Sequence, residues 1–228
     1  MPLRQDFILR LIEQLGKAFR EIAAMLQLGE ASAARELLEE VTLGQSGLPL
    51  PVLEALSIEE LLRLLDKNGA PDLTRGQLFA EILACAARVE SPDSPRGQSL
   101  YHKTLDLFLV LSPHIDGMTL PLPGSPATLR EILQKTHRPE NREETWEIFR
   151  LFWRLGDFAG AEDYLFRLEP PVAPGQFKEG LAFFSGMETL SEETLRRGNF
   201  SRAEMREGRE EWIRLAGESS AAGATEDP

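Results

Sequence analysis

The residues best suited to chemistry are three histidines (His102, His114 and His137), one cysteine (Cys85), and adjacent glutamate pairs such as Glu39-Glu40, Glu59-Glu60 and Glu143-Glu144. His114-Ile115-Asp116 offers two groups able to bind a metal, and two ligands do not make a site. Cys85 stands among Ala84, Ala86 and Ala87, where a thiol packs as a small hydrophobe. Neighbouring residues on a helix point about 100° apart, so the glutamate pairs do not converge for acid–base work. The sequence contains no G-x-S-x-G, G-x-G-x-x-G, Walker or H-E-x-x-H motif. The expectation is no catalytic residue, no cofactor and no metal.

A different chemistry, that of recognition, is suggested by Trp146, Arg150 and Trp153, spaced i, i+4 and i+7. They form a second face on a helix whose first face is Ile148, Phe149, Phe152 and Leu155. Trp and Arg concentrate binding energy in protein interfaces. The stripe is therefore a candidate to grip a partner peptide or a second copy of the chain. A helix that is apolar nearly all round is alternatively one covered by its neighbours.

Composition narrows the classes. The 228 residues carry 25 Lys+Arg against 37 Asp+Glu, a formal net charge of -12. Nucleic acids and anionic membranes are held mainly by Lys and Arg, so neither is an expected partner. Leu occurs 37 times and Val plus Ile 14 times, which disfavours β-sheet. A lone cysteine makes no intramolecular disulfide, and the charged opening Arg4-Gln5-Asp6 lacks the pattern of a secretion signal. No stretch reaches the roughly 18 uncharged residues of a membrane span. The expected compartment is the cytoplasm.

The elements that must position these residues read as helices throughout. Apolar residues recur at helical spacing from Phe7 to Leu26, stop at Gly29, and resume from Ala34 to Val41 as the second arm of a hairpin. Ser57-Ile58-Glu59-Glu60 is a capping box opening a helix that ends near Asn68-Gly69. Asp72 caps a helix to about Val89, which pairs with a helix over 100–111. Residues 113–126 hold four prolines and two glycines and mark the best internal boundary. Ser125-Pro126 opens the next helix; residues 140–155 and 157–168 form a hairpin about Gly156. Helices over 177–189, 191–197 and 201–216 follow, and no segment reads as a strand. One all-α domain over 1–216 is predicted, built of stacked antiparallel helical hairpins, with 217–228 a disordered tail.

Three places repeat a pattern of Gly, a residue two further on, and a small residue five further on. These are Gly29, Ala31 and Ala34, Gly156, Phe158 and Ala161, and Gly198, Phe200 and Ala203. Leu38 and Leu165 hold the ninth position after the glycine in the first two, and Glu207 in the third. Glycine suits the turn and alanine the close helix crossing. The segment from Leu155 to Leu165 resembles the second half of a tetratricopeptide repeat, and Ser99 to Phe108 resembles a further copy with Thr104 in the small position. The copies are unevenly spaced, so the resemblance implies an irregular α-solenoid of tetratricopeptide-like (TPR-like) type.

More particularly, Asp6 to Gln14, Gly156 to Asp163, Glu179 to Phe184 and Ala203 to Gly208 are similar to segments of an uncharacterised bacterial family of TPR-like proteins. In a TPR-like hairpin, Trp146, Arg150 and Trp153 fall at groove-facing positions. That resemblance supports the fold and leaves the activity open; the repeat-like hairpins, the acidic balance and the missing catalytic motifs point to a non-enzymatic adaptor that binds a protein or peptide. Two other functions are compatible with the sequence. One is an enzyme or small-ligand binder using Arg150, His102 or His114 between helices. The other is a homo-oligomer, such as a homodimer, joined through the long first helix.

Overall fold

A computed structural model describes residues 2–91, 93–115, 125–136 and 141–223, with side chains described from Glu13 to Leu215 within these ranges. Twelve α-helices account for nearly all of it. The chain divides into two compact units, Met1–Arg138 and Pro139–Pro228.

The first unit opens with the hairpin of α1 (Pro2–Gln27) and α2 (Ala31–Ser46), reversed at Gly29, whose φ of 78° is open to glycine at no steric cost. Ala34 and Leu38 are fully buried where the two helices cross. The short α3 (Leu50–Ala55) and α4 (Ile58–Leu65) follow, and α4 starts at the expected capping box. There the Ser57 hydroxyl accepts from the Glu60 backbone N–H at 3.2 Å, and Glu60 accepts in return from the Ser57 N–H at 2.7 Å. Next, α5 (Leu73–Val89) pairs with α6 (Pro95–Leu111), and a 3-10 turn spans Ser112–His114. Every residue of α5 from Gly76 to Ala87 is buried. The small Ala80, Ala84, Cys85, Ala86 and Ala87 let α2, α6 and α7 (Ser125–Thr136) approach it closely.

The second unit begins with the hairpin of α8 (Arg142–Arg154) and α9 (Phe158–Leu165) about Gly156, φ 75°. It continues with α10 (Pro174–Met187), α11 (Glu192–Arg197) and α12 (Arg202–Gly223). Phe149, Phe152, Phe183, Phe184 and Trp212 form its core, each at most 1% exposed.

Four differences from the sequence reading have physical causes. A two-stranded antiparallel hairpin, β1 (Asp66–Lys67) and β2 (Ala70–Pro71), stands where a helix end was expected. Asn68 and Gly69 both take positive φ (61° and 85°), and Asn-Gly is the strongest short signal for such a turn. In the third copy of the repeat, Asn199 takes the left-handed conformation (φ 58°) and Gly198 does not. Gly198 is small because the Phe158 ring lies where its Cβ would be, and Ala203 is exposed, away from any crossing. A boundary at 113–126 would part α7 from α5 and α6, on which it packs; the units divide after Arg138 instead. Finally, the backbone of 217–223, read as part of a disordered tail, continues α12, in keeping with the helix preference of its alanines. Residues 224–228 lie outside the described residues.

Candidate functional site

Trp146, Arg150 and Trp153 share one side of α8, and α10 meets Arg150 and Trp153 there. Trp146 is 6% exposed, its ring 4.8 Å from that of Phe149. Trp153, half-buried, meets the Phe183 ring of α10 edge-on at 5.6 Å, and Phe149 meets the same ring at 5.5 Å. The Arg150 guanidinium sits 5.4 Å from the centre of the Trp146 ring. Its Nε and Nη2 donate to the two carboxylate oxygens of Glu179 on α10, at 2.8 and 2.6 Å, and its Nη1 donates to Glu147 at 2.8 Å. The hydrogen bonds to Glu179 hold the Arg150 pKa above its ordinary value. Such a planar two-point pairing fixes a guanidinium in place. Arg150 and Trp153 thus face α10. Glu179 and Phe183, their counterparts there, lie in a family-like segment, but their pairing with α8 carried no signal because it depends on the chain's return path.

The larger polar constellation lies among α5, α6 and α7 of the first unit. Glu131 of α7 accepts from the Arg88 Nε of α5 at 2.9 and 3.0 Å, with Arg88 Nη2 2.8 Å from the carboxylate. The Tyr101 hydroxyl of α6 donates to the same carboxylate at 2.7 Å. Burial is the largest single influence and opposes the charge of Glu131, but the Arg88 hydrogen bonds, the Arg88 charge and the Tyr101 bond together outweigh it and hold its pKa below the ordinary carboxylate range. For Tyr101, burial first and the Glu131 bond second push the phenol pKa up.

Two turns back along α5 stands Glu81, 7% exposed. Its Oε2 accepts from the Thr128 hydroxyl of α7 at 2.7 Å, and its Oε1 is buried without a hydrogen bond. Burial raises the Glu81 pKa, with the Thr128 and Ser125 hydroxyls pulling the other way. The thiol of Cys85, between Glu81 and Arg88 on the same helix, is pushed up to about 12 by burial. A thiol held there is not a nucleophile at neutral pH. Chemically the arrangement is a polar seam tying three helices together, with a buried carboxyl whose pKa is raised at one end and a fixed ion pair at the other. One signal for it was present in the sequence: Glu81 is the only charged residue between Arg75 and Arg88.

The histidines are dispersed. His102 is half-buried on α6, His114 is exposed on the 3-10 turn, and Asp116 and His137 lie outside the described residues. Among the described residues no group of three His, Cys, Asp or Glu is placed to hold a metal ion. Likewise, no described helix is long and apolar enough to cross a membrane.

Residues 2–217 match a family of unknown function, DUF6483. The chain belongs to that family. No curated relative and no solved structure matches the chain.

Proposed function

We propose that this chain is a non-enzymatic adaptor of TPR-like type in a bacterial cytoplasm, binding a protein partner through α1. The observation that carries the reading is the unequal length of the first hairpin. Gln45, near the end of α2, bonds Gln14 of α1 at 3.5 Å and marks the level where α2 stops. The backbone of α1 runs on for the twelve residues from Pro2 to Glu13, about 18 Å at 1.5 Å per residue. Into those turns the sequence writes Phe7, Ile8, Leu11 and Ile12 at helical spacing. A stripe of this kind is how an amphipathic helix enters a groove on another protein. The Trp146, Arg150 and Trp153 stripe, met by α10 at Arg150 and Trp153, plays no part in the proposal.

The test compares the full chain with one lacking residues 2–12, after far-UV dichroism has shown the two equally helical from residue 13 onward. Capture from native cytosol should recover a specific partner with the full chain and not with the shortened one. Equal recovery by both would remove α1 from the reading; no specific partner for either would overturn the adaptor. Light scattering separates the alternative of self-association, in which the full chain is a dimer and the shortened chain a monomer.

A further inference from the structure

Within the second unit, α12 rests on α9 and α10 through two glycines. A Cβ at Gly180 of α10 would overlap the Trp212 indole of α12. A Cβ at Gly208 of α12 would overlap Oε1 of Glu162 on α9 and stand 2.8 Å from the Phe184 ring. The backbone of α12 therefore lies over the half-buried Glu162 carboxyl.

What faces this carboxyl is acidic from both helices. Asp163 neighbours it on α9, and Glu204 and Glu207 face it from α12. A cavity of about 290 Å³ between the two helices is lined by Glu162, Phe166, Glu207, Gly208 and Glu211. Several nearby cations bond to partners other than Glu162, and Arg209, beside Gly208 on α12, is exposed. Arg214 pairs with Glu211, Arg206 donates to the Arg202 carbonyl, and Arg202 holds Glu192 and the carbonyls of residues 187, 188 and 190. Arg167 stacks on Tyr164, its guanidinium 4.2 Å from the ring centre. From α10 the contact is the Phe184 ring, and α8 meets α9 through Phe152 and Tyr164.

We propose that the α9–α12 contact is a proton-operated latch, closed when the Glu162 carboxyl is neutral and loosened when Glu162, Asp163, Glu204 and Glu207 are all charged. A neutral carboxyl needs no counter-ion under the α12 backbone, whereas a carboxylate there is partly desolvated and meets three like charges. Burial first, then the charges of Glu204, Asp163 and Glu207, raise its pKa to about 7. The folded-state pKa exceeds the unfolded one. The contribution of the contact is thus complete below the ordinary carboxylate range and is lost as pH rises through about 7. Loosening would uncover Trp212, which is now fully buried and packed on Phe166 and Phe177. This device does not depend on the adaptor reading.

Amide exchange along α12, corrected for intrinsic rates, tests it on the full chain. A shift from 4.5 to about 7 would correspond at most to a few hundredfold change in opening; for a half-exposed group about tenfold is expected between pH 5 and pH 8. Glu162→Gln should keep the pH 5 protection at both values. Protection that is flat with pH in the wild type, or still pH-dependent in Glu162→Gln, would overturn the latch. Should Glu162→Gln fail to fold, Glu207→Gln, on an exposed side chain, decides the matter. Removing one repelling charge should lower the midpoint, and an unmoved midpoint would overturn the proposal.

Discussion

Truncating Trp146 separates a stripe held inside the second unit from a stripe that waits for a partner. The ring is 6% exposed, lies 4.8 Å from Phe149 and carries the Arg150 guanidinium at 5.4 Å. Emptying a buried Trp site costs about 3–5 kcal/mol, and losing the cation–π contact adds roughly 0.5–1 kcal/mol at a partly exposed site. Arg150 keeps its two hydrogen bonds to Glu179, so the lower end of the range applies, about 3–4 kcal/mol. Half-buried Trp153 should cost less, about 1–2 kcal/mol. All three tryptophans (146, 153 and 212) lie in the second unit, so indole fluorescence follows that unit alone through urea unfolding. At a slope of roughly 1.5 kcal/mol per molar urea, Trp146→Ala should move the midpoint down by about 2 M, more than Trp153→Ala does. Light scattering should find the same mass for both variants and the wild type. The reasoning is refuted if Trp146→Ala shifts stability by less than about 0.5 kcal/mol, the range of neutral surface changes. A wild-type dimer that the variant splits with its helicity intact would refute it equally.

Two further outcomes test the packing and the buried acid. Gly180→Ala and Gly186→Ala, both on α10, should change stability in opposite directions. The first places a Cβ against the buried Trp212 indole, whose Nε1–H donates to the Phe177 carbonyl at 3.1 Å, and overpacking of this kind costs about 1–3 kcal/mol. The second meets nothing within 4 Å and should gain roughly 0.5–1 kcal/mol from helix preference alone; fluorescence-detected urea unfolding reads both. Glu81 has a folded-state pKa raised by burial, so its contribution is complete below the ordinary carboxylate range and is lost as pH rises through the raised value. Thermal melts of the first unit should therefore weaken from pH 5 to pH 8 in the wild type and flatten in Glu81→Gln, which keeps an oxygen for Thr128. A wild-type slope that survives in Glu81→Gln would place its origin elsewhere.

How much of this was legible in the sequence depended on whether a feature is local. The hairpins at Gly29 and Gly156, the capping box at Ser57 and the cap at Asp72 are set within a few residues, and they stand where the pattern put them. The Asn68-Gly69 hairpin was equally local, but it followed directly on a helical pattern that masked its turn signal. Gly198 carried a local motif and answers to a distant cause, the Phe158 ring, so the repeat pattern misplaced the left-handed residue by one. The Trp146, Arg150 and Trp153 stripe shows the harder limit. Its spacing defined a face, and whether α10 or a partner would meet that face depended on Glu179 and Phe183, which a separate helix brings back across the proline-rich 170–174 stretch. The same holds for Glu162 and Gly208, unremarkable apart and 46 positions distant in sequence. Together they put a carboxyl beneath a helix backbone. Chemistry of that kind arises from close approach between elements, and periodicity along one element does not report it.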